Sequence, residues 1–412
     1  MLESFQKVKD ILAPIIDNIP EDLLFDISRC KYLYSQIQKM DIEDRQFLNK
    51  TVEDLLYYME ELDASDIDMG SHGSKGFIWY RVQGKKRPEE QFGKLKYDET
   101  DLLIMNLLEE KQAKQFFNDR SLDFSFILER SGGQQRRLRA TVYMDLNHVA
   151  LNMRMVPAKI RPLSSYRFHK NIINSFSLKR TKRGLILVTG ITGAGKSTTL
   201  DAIVDYNNKI SNSHITIIAD PIERVHNSQR AIVRHREVGS DVLSFREGAV
   251  QALRQDPDII VIGEMRDPET IMTTLELTDS GHKVFSTLHT SSAIETIDRI
   301  IDEVPDEAKD QVKARLADVL EVIVSQKLIK GTDGKLILAK EVLYMNSAVS
   351  AAIKNENTHE IYAILRQGSK HGMHTLEQDL KRLYRANKIS FEDAISNANM
   401  KKEFKDIVKY SL

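Results

Sequence analysis

An apolar run, GLILVT, leads into Gly190-Ile-Thr-Gly-Ala-Gly-Lys-Ser197, and helix-forming sequence follows from Ser197 onward. The spacing is G-x-x-x-x-G-K-[ST]. The pattern is short enough to arise by chance, but a strand before it and a helix after it are the context in which it binds phosphate. Glycines at 190, 193 and 195 let the backbone wrap a phosphate with its N–H groups, and the helix N-terminus adds positive potential. The segment therefore implies a strand–loop–helix unit and a site for ATP or GTP. Gly190, Thr192, Gly193, Ala194, Gly195, Lys196, Ser197 and Thr198 are the expected nucleotide contacts. Lys196 is expected to bridge the β- and γ-phosphates and Ser197 to ligand Mg²⁺.

Further apolar runs at Ile215–Ala219, Ile259–Ile262 and Val284–Ser286 alternate with helical stretches such as PETIMTTLELT. Near-continuous apolar strands interleaved with helices predict an α/β core around a parallel sheet. Glu264 closes the run DIIVIGE, at a strand end where ligands sit in open α/β sheets, and is expected to face Mg²⁺ and the γ-phosphate. Asp220 and Glu223, in ADPIE, follow another strand end, so either could polarise the attacking water. Asp256 and Asp258 precede their strand and read as capping or surface residues. His282 and His289 bracket KVFSTLHT, which leaves a structural role open beside phosphate sensing or an interface role.

The remaining organisation follows from composition along the 412 residues. Residues 1–63 read as an acidic helical extension: Met1 to Ala64 holds fourteen Asp/Glu against seven Lys/Arg. It either packs on the neighbouring domain or docks a partner, and packing is the simpler reading. Residues 64–157 alternate strands such as FIWYRVQG with DETDLLIMNLLEEKQAKQFF, read as one helix, giving a small α+β domain. A linker, 158–166, is marked by PAKIRPL; the core follows at 167–345 and a charged helical region at 346–412. From Arg130 to Arg183 there are thirteen Lys/Arg against one acid, Asp145, a balance that suits nucleic acid, an anionic membrane or polyphosphate. One cysteine, Cys30, excludes a disulfide framework and a Cys-only zinc site. No apolar run is long enough to span a bilayer and the N-terminus is not a signal peptide, so a cytoplasmic protein is expected.

GITGAGKSTT, ADPIE with the following HREVG, the strand ending GEMRD, and TDSGHKVFSTLHT resemble the Walker A, Asp box, Walker B and His box of type II/IV secretion ATPases. THEIYAILRQ with GSKHGMHTLEQDL is similar to the PilT-like, pilus-retracting branch, and SDIDM at Ser65 to the opening of that family's PAS-like domain. The resemblance runs from about Ala64 to the C-terminus. It implies a RecA-like P-loop ATPase core with a smaller PAS-like α+β N-terminal domain and helical terminal segments. It also implies ATP and Mg²⁺ as cofactors, with Ser197 and Glu264 at the metal. Glu223 becomes the catalytic carboxylate, Glu264 the Walker B glutamate, and His282 and His289 the His-box pair. Arg139 and Arg154 become arginines that reach the nucleotide from the N-terminal domain, neutralising charge in the transition state.

The implied machine is a homo-hexamer, peripheral at the cytoplasmic face of the inner membrane. It would drive a pilus platform protein, with an antagonistic assembly ATPase as a further partner. Two departures stand out: Ala219 replaces the acid before the Asp-box aspartate, and AVSAAIKNE (348–356) lacks the arginine of the motif tied to retraction. A related secretion or conjugation ATPase, a nucleic-acid translocase and a nucleotide-binding scaffold are the competing readings. The cysteine count argues against branches with a four-cysteine metal element. Neutral overall charge argues against the translocase, and no nucleic-acid partner is expected; Glu223 and Glu264 together argue against the scaffold.

Overall fold

A computed structural model of the chain describes residues 2–20, 23, 26–129, 135–156 and 159–409. The expected boundary at Pro157, the first linker residue and Arg130 lie outside the described residues. Two compact units emerge, Met1–Ala158 and Lys159–Leu412.

Unit one opens with three helices, α1 (Leu2–Ile16), α2 (Ile27–Ile37) and α3 (Ile42–Glu61). Strands β1 (Ala64–Gly70), β2 (Ile78–Val82) and β3 (Lys85–Glu89) follow, then helices α4 (Tyr97–Met105) and α5 (Glu110–Asp119). Strands β4 (Ser121–Glu129), β5 (Gln135–Asp145) and β6 (His148–Met155) complete an antiparallel sheet of order β3-β2-β1-β6-β5-β4.

On α3, Leu48, Val52, Leu55, Leu56 and Met59 recur at helical spacing and are fully buried, in one apolar cluster with sheet residues such as Ile67, Tyr80 and Leu151. The acidic extension therefore has no core of its own; it packs into that of the α+β unit. Polar ties cross the same seam: Arg29 meets Asp98 at 2.6 Å, Arg136 meets Glu60 at 3.1 Å, and the Tyr80 hydroxyl donates to the Leu55 carbonyl. Cys30 belongs to this core, and burial pushes its thiol up to about 12, so it is not a nucleophile.

The single helix expected over DETDLLIMNLLEEKQAKQFF is two. Asn106 ends α4 by turning its amide to the Arg45 carbonyl and the Asn49 side chain, and Gln112 caps the backbone N–H of Glu109 to start α5.

Unit two begins with α6 (Lys170–Phe176), β7 (Gly184–Thr189), α7 (Lys196–Ile210), β8 (His214–Ala219) and β9 (Ile232–Glu237). Next come α8 (Phe245–Ala252), β10 (Ile259–Ile262), α9 (Pro268–Asp279), β11 (Lys283–Leu288), α10 (Ala293–Asp302) and α11 (Asp306–Val319). The hairpin β12 (Leu320–Lys330) and β13 (Leu336–Tyr344) precedes five helices: α12 (Ser347–Lys354), α13 (Ile361–Gln367), α14 (Leu376–Arg385), α15 (Phe391–Asn397) and α16 (Lys401–Lys409).

The sheet order is β13-β12-β7-β11-β10-β8-β9, parallel except for the β12–β13 hairpin. Every residue of β7 is buried because separate apolar clusters cover the two faces: Leu185 and Leu187 point into one, Ile186 and Val188 into the other. Strands β9, β12 and β13 were not legible as members of this sheet. β12 and β9 carry charged or polar residues such as Gln326, Lys327, Arg234 and Arg236, which interrupt the apolar run.

Candidate active site

The glycine-rich loop leaves the C-terminal end of β7 and enters α7 at Lys196. Gly190 sits at φ +148, and a Cβ there would lie 2.6 Å from the Gln326 carbonyl oxygen and 2.7 Å from the Ala194 Cβ. Only glycine lets the loop turn that close to β12. Gln326 holds the loop from the other side as well, its side-chain amide donating to the Ala194 carbonyl at 3.1 Å. Below the loop, the Thr189 and Ser325 hydroxyls meet at 2.9 Å.

Lys196 Nζ donates to the Gly190 carbonyl at 2.9 Å, so the lysine is drawn across the loop it would share with a phosphate. Burial lowers its pKa, while the carboxylates of Glu264 and Glu223 act in the opposite sense. Both expected acids thus lie within electrostatic reach of the lysine. Glu264 is held on two sides: Arg266 Nε donates to Oε2 at 2.8 Å, and His289 Nε2 lies 3.1 Å from Oε1. The His289 ring also approaches Lys196 Nζ to 3.4 Å and Thr192 Oγ1 to 3.5 Å. Thr192, Lys196, Glu264 and His289 therefore form one polar group at the mouth of the loop. Ser197 and Thr198 are exposed on the first turn of α7.

Register explains the convergence. β11 and β10 flank each other beside β7, so the residues just beyond their C-terminal ends, His289 and Glu264, emerge next to the loop. The same register separates His282. It precedes β11, its carbonyl accepts from the Gly184 N–H at the start of β7, and its ring faces Ser280 and the Leu277 carbonyl. A six-residue strand stands between it and His289. At about 3.3 Å per residue, that puts roughly 20 Å between the two histidines. His282 does not join the group within its own chain, which leaves for it the structural and interface roles that the sequence also offered.

The Asp box is fastened to the loop's own helix. Asp201 on α7 accepts from Arg224 Nε at 2.9 Å and lies 3.0 Å from His226 Nε2. The Glu237 carboxylate accepts from the Ile222 N–H at 2.9 Å. Glu223 is thereby bracketed by two anchored neighbours. Ala219, where an acid was expected, ends β8 hard against Gly263; a Cβ on that glycine would lie 3.2 Å from the Ala219 Cα. Of the preceding carboxylates, Asp258 accepts from the His214 N–H and so ties β10 to β8.

Arg139 and Arg154 belong to unit one and are engaged there. Arg139 pairs with Asp123 at 3.0 Å and Arg154 with the buried Asp66 at 2.8 Å. The segment lacking the retraction-motif arginine forms α12, whose Lys354 pairs with Asp318 at 2.7 Å; Glu356 beyond it pairs with Lys313.

Arg266, Gln326, Asp201 and Arg224 were not singled out from the sequence. Arg266 follows the acid it holds by two residues and could have been found by asking what orients Glu264. Gln326 lies on a strand that was not anticipated. Asp201 and Arg224 are joined only by the fold.

The donor set suits a divalent cation, which favours hard oxygens: a serine hydroxyl on the helix and carboxylates near it. Together the loop, lysine and carboxylates can bind a nucleoside triphosphate and activate water against it.

A family model described as type II/IV secretion system protein matches residues 41–408. The type IV pilus retraction ATPase PilT of Pseudomonas aeruginosa is 36% identical over 353 residues, spanning 86% of this chain and 99% of that protein. A twitching motility protein of Neisseria gonorrhoeae is 35% identical over 319 residues, 76% of this chain and 82% of that one. The crystal structure of the pilus retraction motor PilT with bound ADP matches with a TM-score of 0.77 at 35% identity, covering 86% of this chain and 99% of its own.

Proposed function

Because the chain belongs to the type II/IV secretion system protein family, we propose that its work is the retraction of a type IV pilus. It is an ATP-hydrolysing P-loop motor, with a RecA-like core and a smaller N-terminal domain. The observation that carries the pilus reading is coverage: a retraction ATPase is matched over 99% of its length, so the likeness is not confined to the nucleotide core.

The chemistry follows from the group around the loop. Loop N–H groups and Lys196 hold the phosphates, Glu264 and Glu223 are the candidates for orienting water and taking its proton, and His289 links Glu264 to the loop. Ser197 and Glu264 would hold Mg²⁺, which supplies positive charge to the phosphate oxygens. Arg139 and Arg154 would bring further positive charge as the nucleotide reacts. In this reading the motor is a homo-hexamer at the cytoplasmic face of the inner membrane, turning a platform protein against an assembly ATPase. No described helix is long and apolar enough to cross a membrane.

The test is a Lys196→Ala allele at the native locus in cells that assemble type IV pili. Retraction failure predicts surplus surface pili and loss of twitching with pilus assembly intact. Normal pili and twitching, with protein export lost instead, would replace retraction by secretion.

A further inference from the structure

Residues 220–231, between β8 and β9, take neither helix nor strand, yet they carry Glu223, a carboxylate that acts on Lys196 through space. Side-chain ties stand in for a strand ladder there, and α7 supplies them at two points. Asp201 holds Arg224 and His226. Asn208 holds the stretch after them: its amide donates to the Asn227 carbonyl at 2.8 Å, and its oxygen accepts from the Gln229 N–H at 3.0 Å. Ser197, Asp201 and Asn208 are spaced by four and then seven residues, so all three share one face of α7. The helix that opens at the phosphate loop thus also ties down the segment that bears Glu223.

The nearer tie is the stiffer one. Arg224 Nε donates to Asp201 Oδ2 at 2.9 Å while His226 Nε2 lies 3.0 Å from Oδ1, so both carboxylate oxygens are engaged. A carboxylate only accepts, which puts the His226 ring proton on Nε2. The Arg224 and His226 side chains keep 10% and 2% of their exposure, so water has little room to replace Asp201. Removing that charge takes a buried partner from the guanidinium. Glu223, its neighbour in the chain, shifts as the guanidinium re-pairs.

We infer that Asp201 is a positioning residue: through Arg224 it fixes Glu223 against the phosphate loop, where that carboxylate orients water. The inference rests on the role given to Glu223 in the proposed chemistry. It makes one helix carry both halves of the reacting geometry, the phosphate cradle at its start and the tie to the water-orienting acid one turn later. A misplacement of about 1 Å is enough to cost on the order of 10²-fold in rate.

Hydrolysis kinetics on the full chain test this. Asp201→Asn, which keeps the shape and loses the charge, should lower kcat by about ten- to a hundredfold. KM for ATP and affinity for ADP with Mg²⁺ should stay unchanged, which also certifies folding. In a Glu223→Gln background, single-turnover hydrolysis should show no further loss on adding Asp201→Asn, because both changes act on one carboxylate. Arg224→Gln should repeat the Asp201→Asn result, and Arg224→Lys, which keeps the charge, should recover part of it. Asn208→Ala cuts only the far tie and should lower the urea midpoint with kcat close to wild type. Wild-type kcat in Asp201→Asn, an equal loss in both backgrounds, or a matching loss from Asn208→Ala overturns the inference. Normal turnover by Glu223→Gln would instead remove the catalytic role on which it rests.

Discussion

Glu264 meets Arg266 and His289 with different oxygens and acts on Lys196 through space, so its charge is shared among three cationic or protonatable neighbours. Replacing it by glutamine keeps the shape and much of the hydrogen bonding but removes the negative charge. ATP turnover should fall by about 10²–10⁴-fold, the usual effect of losing one positioned acid or base. ATP affinity should stay near wild type, because the loop and Lys196 supply most of it. Glu223→Gln is expected to behave alike and Asp220→Asn to retain activity. Rapid-quench hydrolysis with parallel nucleotide titrations checks this, and the opposite ranking of positions 220 and 223 would move the catalytic role to Asp220.

Among the elements, β13 connects two helices through one side chain. Glu341 is fully buried; its carboxylate accepts from the Ala293 N–H at 2.8 Å and from the Leu376 N–H at 3.4 Å, the first residues of α10 and α14. Burial raises its pKa from 4.5 to about 7, and the Glu377 carboxylate adds to the rise. With the folded value above the unfolded one, the native state binds the proton more tightly. Stability from this group is complete below about 4.5, declines as pH rises through about 7, and is absent above it. Glu341→Gln, a permanently neutral isostere, should therefore match wild type at pH 4.5 and exceed it at pH 8, on the order of a few kcal/mol. Urea midpoints at the two pH values measure it, and a pH-independent difference would contradict the assignment. The sequence showed the strand–loop–helix unit and the acids at strand ends because glycine, lysine and apolar runs are local signals. It did not show α4 and α5 as separate helices, since the Asn106 partners Arg45 and Asn49 lie in another element. Nor did it separate His282 from the site: flanking a strand looks alike at both ends until the register fixes which end carries the loop. The Asp201 clasp on Arg224 and His226 was equally invisible, being a contact across twenty-odd residues with no periodic trace.

At the scale of the whole molecule, the arginines proposed to reach the nucleotide belong to unit one and the loop to unit two, and whether such an arginine serves its own chain or a neighbour's needs a test. Mixing Lys196→Ala with Arg139→Ala chains decides between them. If Arg139 acts on an adjacent subunit, some interfaces pair an intact loop with an intact arginine and part of the hydrolysis returns; if it acts within its own chain, no mixture recovers. Light scattering on the same samples should give a ring, and a monomer with full activity would remove the ring from the proposal. Sheet topology also sets a timetable for making the protein. In unit one, β1 pairs with β6, so the sheet cannot close until Met155 has been synthesised. In unit two, β7 needs β12, whose last residue is Lys330. At a translation rate of about 5–20 residues per second, the first sheet can be whole for on the order of ten seconds or more before the second can finish. During that interval β7 has no partner until β11 ends at Leu288, and its other edge stays open until β12 is made, so the stretch of translation most exposed to misassembly is the one that follows the glycine-rich loop.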